Sequence, residues 1–152
     1  MSIWNKYFDW PPVWLLIFMA VAWGQVQLWN PLAYETGLTT LIGRGAIVFG
    51  ILLMGVSFVM FQQHKTSLVP KRTPNSIITS GPYKYSRNPI YVADAIVLGG
   101  YVLTLGSVIS FALIPAFAWV IRKRFINGEE AGIRAEFGQA YEDYCQQTRR
   151  WV

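Results

Sequence analysis

Ile77-Ile78-Thr79-Ser80-Gly81-Pro82-Tyr83-Lys84-Tyr85-Ser86-Arg87-Asn88-Pro89-Ile90-Tyr91-Val92 is a polar, tyrosine-rich turn that runs directly into an apolar span. Pro82 and Pro89 cannot donate backbone hydrogen bonds and restrict the residues before them, so the stretch is a shaped loop and not a continuous helix. It holds three tyrosines (Tyr83, Tyr85, Tyr91) and two cations (Lys84, Arg87). Tyrosine and arginine favour the headgroup level of a bilayer, which places the turn at a membrane–water boundary. Interfacial anchoring alone would explain that composition, so any chemistry must be argued from what lies around it.

Outward from the turn the chain is apolar. Of 152 residues, 53% are hydrophobic and 14% charged, against about 25% charged in soluble proteins. Four spans are predicted, at about 13–29, 41–61, 90–105 and 108–126, within one membrane domain over 1–152. The second reaches the ~20 residues a bilayer requires. Pro11-Pro12 opens the first span, and Trp10, Trp14 and Trp29 suit an aromatic belt. Ala46 and Gly50 form a small-xxx-small pair suited to close helix packing, whereas Gly43-Arg44-Gly45 has no preceding strand and is not a nucleotide loop. Spans three and four, joined at Gly106-Ser107, read as a helical hairpin with a kink at Pro115. The fold class is therefore all-α: a transmembrane bundle of about four spans. Asn127-Gly128 is expected to break the fourth helix, and an amphipathic cytoplasmic helix then starts at Glu129, with Ile133, Phe137, Ala140, Tyr141, Tyr144 and Cys145 on one face.

Charge sets the orientation. The net charge is +5, with Lys65, Lys71, Arg72, Lys84 and Arg87 in the 62–88 loop and six more cations from Arg122 onward. The 30–40 loop holds only Glu35, and the 104–110 turn holds no charge. Positive-inside asymmetry puts both termini and the long loop on the cytoplasmic side of a multi-pass protein in the cell membrane. The cations lie beside apolar spans, so lipid headgroups explain them and nucleic acid does not. One cysteine, Cys145, excludes an internal disulfide and a multi-cysteine metal site. No cleavable leader and no prenylation box is read at the ends of this chain.

Four elements recur in order: Ile77 to Tyr83, then Arg87-Asn88-Pro89-Ile90-Tyr91, then Glu129-Glu130, then Phe137-Gly138-Gln139-Ala140-Tyr141. Together they resemble the signature of the isoprenylcysteine carboxyl methyltransferase and phospholipid methyltransferase superfamily of integral membrane enzymes, over about residues 66–152. Asn88 stands where that signature usually has His, and Ala93-Asp94 where it has a small Gly. The resemblance implies S-adenosylmethionine as cofactor, held by 66–91 and 122–145. Its contacts would fall on Asn75, Ser76, Ile77, Ile78, Tyr83, Asn88, Pro89, Ile90, Tyr91 and Glu129, with Glu130 beside them.

The residue types suit that chemistry. Methyl transfer is a direct displacement, so the protein supplies positioning and electrostatics. Tyrosine faces attract a sulfonium, and a glutamate accepts charge-assisted bonds from a ribose hydroxyl or an ammonium. Asn88 can bond hydrogen but cannot titrate. Read structurally, Glu129 and Glu130 would instead be first-turn acids favoured by a helix dipole, with Glu130 paired to Arg134. Asp94, inside an apolar span, requires a partner or a cavity, and Arg87 is expected either to bridge it or to hold a lipid phosphate. With Arg124, near the point where the superfamily places a substrate-orienting arginine, Arg87 and Asp94 complete the candidate catalytic set. His64, alone in a loop, is expected to be solvated. The acceptor is expected to be a lipophilic small molecule with a carboxylate or an amine, entering from the membrane lipids past Gly99 and Gly100, with no obligate protein partner. A membrane reductase and a non-catalytic accessory protein of the same fold are the rival readings.

Overall fold

The computed structural model describes residues 10–34, 36–63 and 77–152. Asn75, Ser76, His64, Lys65, Lys71, Arg72 and Glu35 lie outside the described residues. Among the described residues the architecture is all-helical, with two isolated β-bridges and no strand. Helix α1 is Pro11–Leu28 and α2 is Gly37–Gln63. A 3₁₀ turn, Gly81–Lys84, precedes α3, Pro89–Leu105. A second 3₁₀ turn, Ile109–Ala112, leads into α4, Leu113–Ile121, just ahead of Pro115. A π turn, Arg122–Ile126, then joins α4 to α5, Asn127–Phe137, and α6 is Gln139–Gln147.

Helices α1 and α2 are long and apolar enough to cross a membrane, and only 17% and 11% of their most apolar windows are buried. The core helix of a soluble protein would be mostly buried, so these faces are built for an apolar surround. Helix α3, at 17 residues, is a shorter apolar helix.

The most extensive helix pairing is α2 against α3. Its cause is a seven-residue repeat of small residues: Gly43, Gly50 and Ser57 are the buried residues of α2. A Cβ on Gly43 would lie 2.6 Å from the Gly100 carbonyl oxygen, and one on Gly100 equally close to that of Gly43. A Cβ on Gly50 would sit 3.0 Å from the Ala93 carbonyl oxygen. Two backbones in contact gain dispersion along the seam, the usual device where lipid gives no hydrophobic drive. The expected use of Ala46 and Gly50 thus holds and extends to Gly43. Gly100, by contrast, leaves no room for an entering acceptor, because α2 occupies the space beside it.

Across the opposite face of α3, Leu98 and Val102 pack with Phe117, Ile121 and Phe125, all essentially inaccessible, and Phe18 of α1 meets Phe117 edge-on at 5.4 Å. Each end of the bundle is tied by one bridge. Ala33 pairs with Ser107 at one end, where Gln25 Oε1 accepts from Ser107 Oγ at 2.9 Å and from Ser110 Oγ at 2.6 Å. Ser86 pairs with Arg149 at the other. The tyrosine-rich turn and the C-terminal segment therefore share one end.

Two expectations about the C-terminal third are overturned. The helix does not break at Asn127-Gly128, since α4, the π turn and α5 follow one another without an intervening loop. It breaks instead at Gly138, whose φ of 51° and ψ of −121° favour glycine. The expected single amphipathic helix is two, and the buried positions on the second are Tyr141 and Tyr144.

Replacing Gly100 with alanine should lower stability by about 1–3 kcal/mol through overpacking. Gly45→Ala, facing open space on the same α2, should be neutral or stabilising by up to about 1 kcal/mol. Thermal unfolding in detergent distinguishes them; equal effects would refute the seam.

Candidate active site

The site is assembled by one buried acid. Glu130, 4% exposed, accepts from Arg150 Nε at 3.0 Å and from its NH2 at 2.5 Å, and Arg87 NH2 lies 3.4 Å away. Arg87 NH1 also donates to the carbonyl oxygens of Thr148 at 3.0 Å and Cys145 at 3.2 Å. The backbone follows: Arg87 N–H donates to Arg149 O at 2.9 Å, Ser86 Oγ to Arg150 O at 3.2 Å, and Asn88 Nδ2 to Arg150 O at 3.1 Å. Tyr144 OH donates to Tyr83 O at 2.5 Å. Turn and tail, some 60 residues apart in sequence, thus form one unit around Glu130.

This corrects three assignments. Glu130 pairs with Arg87 and Arg150, whereas Arg134 pairs with Glu142. Arg87 faces Glu130 and the tail, so it is not the partner of Asp94. The glutamates sit within a helix that is already running, so the capping and helix-dipole explanation fails.

Glu129 takes the other direction. Tyr91 OH donates to Glu129 Oε1 at 2.8 Å, joining α3 to α5 across 38 positions. Burial holds the Glu129 carboxyl above its ordinary value, the Tyr91 hydrogen bond opposes this, and the Glu130 charge reinforces it. Beside the pair, the Tyr83 hydroxyl is buried with no hydrogen-bond partner. Burial raises its pKa, and the neighbouring Tyr144 and Glu129 add to the shift. The Tyr83 ring packs on Phe61 at the end of α2, 5.7 Å between centroids, while Gly81 (φ 57°) passes over Met60. The Tyr91 ring lies 6.4 Å from that of Phe125.

Of the other candidates, Ile78 and Pro89 are buried, whereas Ile77 and Ile90 are partly exposed. Asn88 commits its amide donor to the tail. Asp94 is 2% exposed, one turn past Tyr91, and its Oδ2 has no hydrogen-bond partner. The Arg124 guanidinium stacks over the Trp14 ring at 4.8 Å and is exposed. Sequence reasoning missed Arg150 altogether. Its only signal was an arginine beyond the last apolar position of a helix, which reads as ordinary positive-inside charge.

The two glutamates should separate in a thermal melt. Glu130→Gln strips a buried acid from two guanidinium groups and should destabilise by about 3 kcal/mol or more. Glu129 behaves oppositely. Its folded pKa lies above the unfolded value of 4.5, so ionisation near neutral pH opposes folding and the penalty is relieved as pH falls. Glu129→Gln should therefore melt at or above the wild-type temperature at pH 7. A variant less stable than Glu130→Gln would reverse the roles.

The sequence profile of the phospholipid methyltransferase family matches residues 38–140. The protein-S-isoprenylcysteine O-methyltransferase of Schizosaccharomyces pombe is 35% identical over 68 residues, which is 45% of this chain and 29% of that protein. A solved structure of the eukaryotic intramembrane Ras methyltransferase, an isoprenylcysteine carboxyl methyltransferase, superposes with a TM-score of 0.63 at 19% identity, over 100% of this chain and 53% of that one. The chain spans about half the length of that structure, and the likeness shows the fold. The chain belongs to the phospholipid methyltransferase family, within the superfamily of membrane methyltransferases that includes the isoprenylcysteine carboxyl methyltransferases.

Proposed function

We propose that this protein is an integral membrane methyltransferase that moves a methyl group from S-adenosylmethionine to a lipophilic small-molecule acceptor at the cytoplasmic interface. The observation that carries the reading is the 2.8 Å Tyr91–Glu129 hydrogen bond, which joins the two halves of the signature beside the unpartnered Tyr83 hydroxyl. These residues fit the group. A buried carboxylate suits a ribose hydroxyl or an ammonium, and the free hydroxyl of Tyr83 can donate to a ligand at no loss of an internal bond.

When bound, S-adenosylmethionine supplies an electrophilic methyl on a sulfonium sulfur. The chain's own part is to hold and orient. Glu129 anchors the polar end, Tyr91 fixes the Glu129 rotamer and offers its ring, and Tyr83 closes the other side. Main-chain groups of Ile77, Ile78, Pro89 and Ile90 flank them, with Asn75 and Ser76 upstream. Glu130 and Arg87 act at one remove, by keeping turn and tail together. Arg124 at the membrane end is assigned to the acceptor's entrance.

In this reading α3 and α4 with its π turn cross the membrane as well, for four spans in the cell membrane with both termini cytoplasmic. The Ala33–Ser107 bridge supports it by drawing the α1–α2 and α3–α4 connections to one end, opposite the site. In a Cys145→Ala background, cysteines at Leu32 and Lys84 should be labelled from opposite sides of the membrane. Labelling from the same side would remove the four-span arrangement.

Calorimetric titration tests the cofactor. S-adenosylhomocysteine should bind the purified protein and NADPH should not. Glu129→Gln should weaken binding by about 1.5–3 kcal/mol, the value of a hydrogen bond to a charged group. Because the Glu129 pKa is raised, the carboxylate takes up its proton above 4.5. Wild-type affinity should therefore fall as pH drops toward and through that raised value, and the Glu129→Gln affinity should not. Tight NADPH binding would favour a reductase instead.

A further inference from the structure

Between the turn and the tail lies a cavity that the methyltransferase reading does not use. Its volume is about 250 Å³, against roughly 30 Å³ for one water in the liquid. Thr79 and Lys84 of the turn line it on one side, and Tyr144, Gln147 and Thr148, at the end of α6, on the other. The side chains proposed to hold the methyl donor, Tyr83, Tyr91 and Glu129, are not among its walls.

The walls offer an ammonium, hydroxyls and an amide, and no carboxylate. Tyr144 OH is committed to Tyr83 O at 2.5 Å and Thr148 Oγ1 to Lys84 O at 3.3 Å. Lys84 Nζ, the Thr79 hydroxyl and the Gln147 amide remain as donors. The charge around them is unbalanced. Lys84, Arg87, Arg149 and Arg150 gather where turn meets tail, and Glu130 answers only Arg87 and Arg150. Among the described residues neither Lys84 nor Arg149 forms an ion pair. The acids of α6 are engaged elsewhere, Glu142 with Arg134 and Asp143 with the Gln139 amide.

Depth is the third observation. The Tyr83 ring packs on Phe61, two residues before the end of α2. The adjoining Lys84 therefore stands level with the end of a helix long and apolar enough to cross a membrane. Tyr85 beside it is 72% exposed, as suits a tyrosine at the headgroup level.

We propose that this cavity is a seat for a phosphate group, of the kind an anionic lipid headgroup carries. Lys84 supplies the charge, and Thr79 and Gln147 the neutral donors. A phosphate presents several acceptor oxygens to donors arriving from two segments, which a planar carboxylate does not. Because the walls belong to both turn and tail, a phosphate here bridges the two segments that Glu130 also joins. Filling the seat stabilises their closed arrangement, since the ligand binds that arrangement and not a separated one.

The test uses the full chain in a non-ionic detergent with three probes at equal concentration. They are dioctanoyl phosphatidic acid, dioctanoylglycerol, which lacks the phosphate, and glycerol 3-phosphate, which lacks the chains. Acylation of lysines by an N-hydroxysuccinimide ester is followed residue by residue by mass spectrometry. Lys123, which lies over the Trp119 ring and outside the cavity, is the internal reference. Phosphatidic acid should slow acylation of Lys84 by about fivefold or more at saturation and leave Lys123 nearly unchanged, and dioctanoylglycerol should do neither. Equal protection by glycerol 3-phosphate identifies a soluble phosphate ester as the ligand, and weaker protection identifies the lipid headgroup. Gln147→Glu, which puts a carboxylate in the seat, should abolish the protection. Phosphatidic acid should also raise the melting temperature of the wild type and not that of Lys84→Gln.

No protection by either phosphate probe overturns the proposal, as does equal protection by dioctanoylglycerol or equal protection of Lys123. So does a folded Gln147→Glu chain that is still protected. If Gln147→Glu does not fold, the melts decide, and a Lys84→Gln chain stabilised as much as the wild type refutes the seat.

Discussion

A single carboxylate, Glu130, orders the end of the molecule where the tyrosine-rich turn meets the tail. Buried to 4% exposure, it would be untenable alone, and the two guanidinium groups that balance it come from Arg87 in the tyrosine-rich turn and Arg150 in the tail. Once both are engaged, the carbonyls of Cys145, Thr148 and Arg150 become acceptors for Ser86, Arg87 and Asn88, which ties the turn to the tail. Successive residues on a helix point about 100° apart. With Glu130 fixed on the clasp, Glu129 is turned to Tyr91. Two adjacent identical residues therefore face different neighbours, one the clasp of turn and tail and the other Tyr91.

The π turn at Arg122–Ile126 fixes which face those glutamates present. A π turn is wider than an α turn and absorbs one extra residue, a feature often found near functional sites. It also keeps Phe125 and Ile126 buried while Arg122, Lys123 and Arg124 are exposed. The helix thus passes from an apolar surround into a charged one without a loop, and carries Glu129 rigidly from the bundle to the turn.

Much of this was legible from the chain, for identifiable reasons. Long apolar runs bounded by proline, tryptophan and glycine gave the helices, because membrane helices announce themselves by composition. That Tyr91 and Glu129 lie together followed from resemblance to a known signature, and nothing in periodicity would have supplied it; their hydrogen bond was not foreseen. The heptad Gly43, Gly50, Ser57 was present in the sequence but hidden beside Gly45 and Ala46, which advertise other small-residue spacings. The break at Gly138 was missed because Asn127-Gly128 is the stronger local signal, while tertiary packing carries the helix through it. The partners of Arg87 and Arg150 were not legible at all. Each depends on which of several oppositely charged groups lies nearest in space, and sequence spacing does not encode that.

The bridge between Ser86 and Arg149 sets an order of events during synthesis. The α2–α3 hairpin can pair as soon as both segments have been inserted, since its seam needs nothing beyond Thr104. Arg87, made early, must wait some 40 residues for the carboxylate and some 60 for the carbonyls that receive it. Contacts of such separation form late. The α2–α3 pair is therefore in place before turn and tail can close around Glu130.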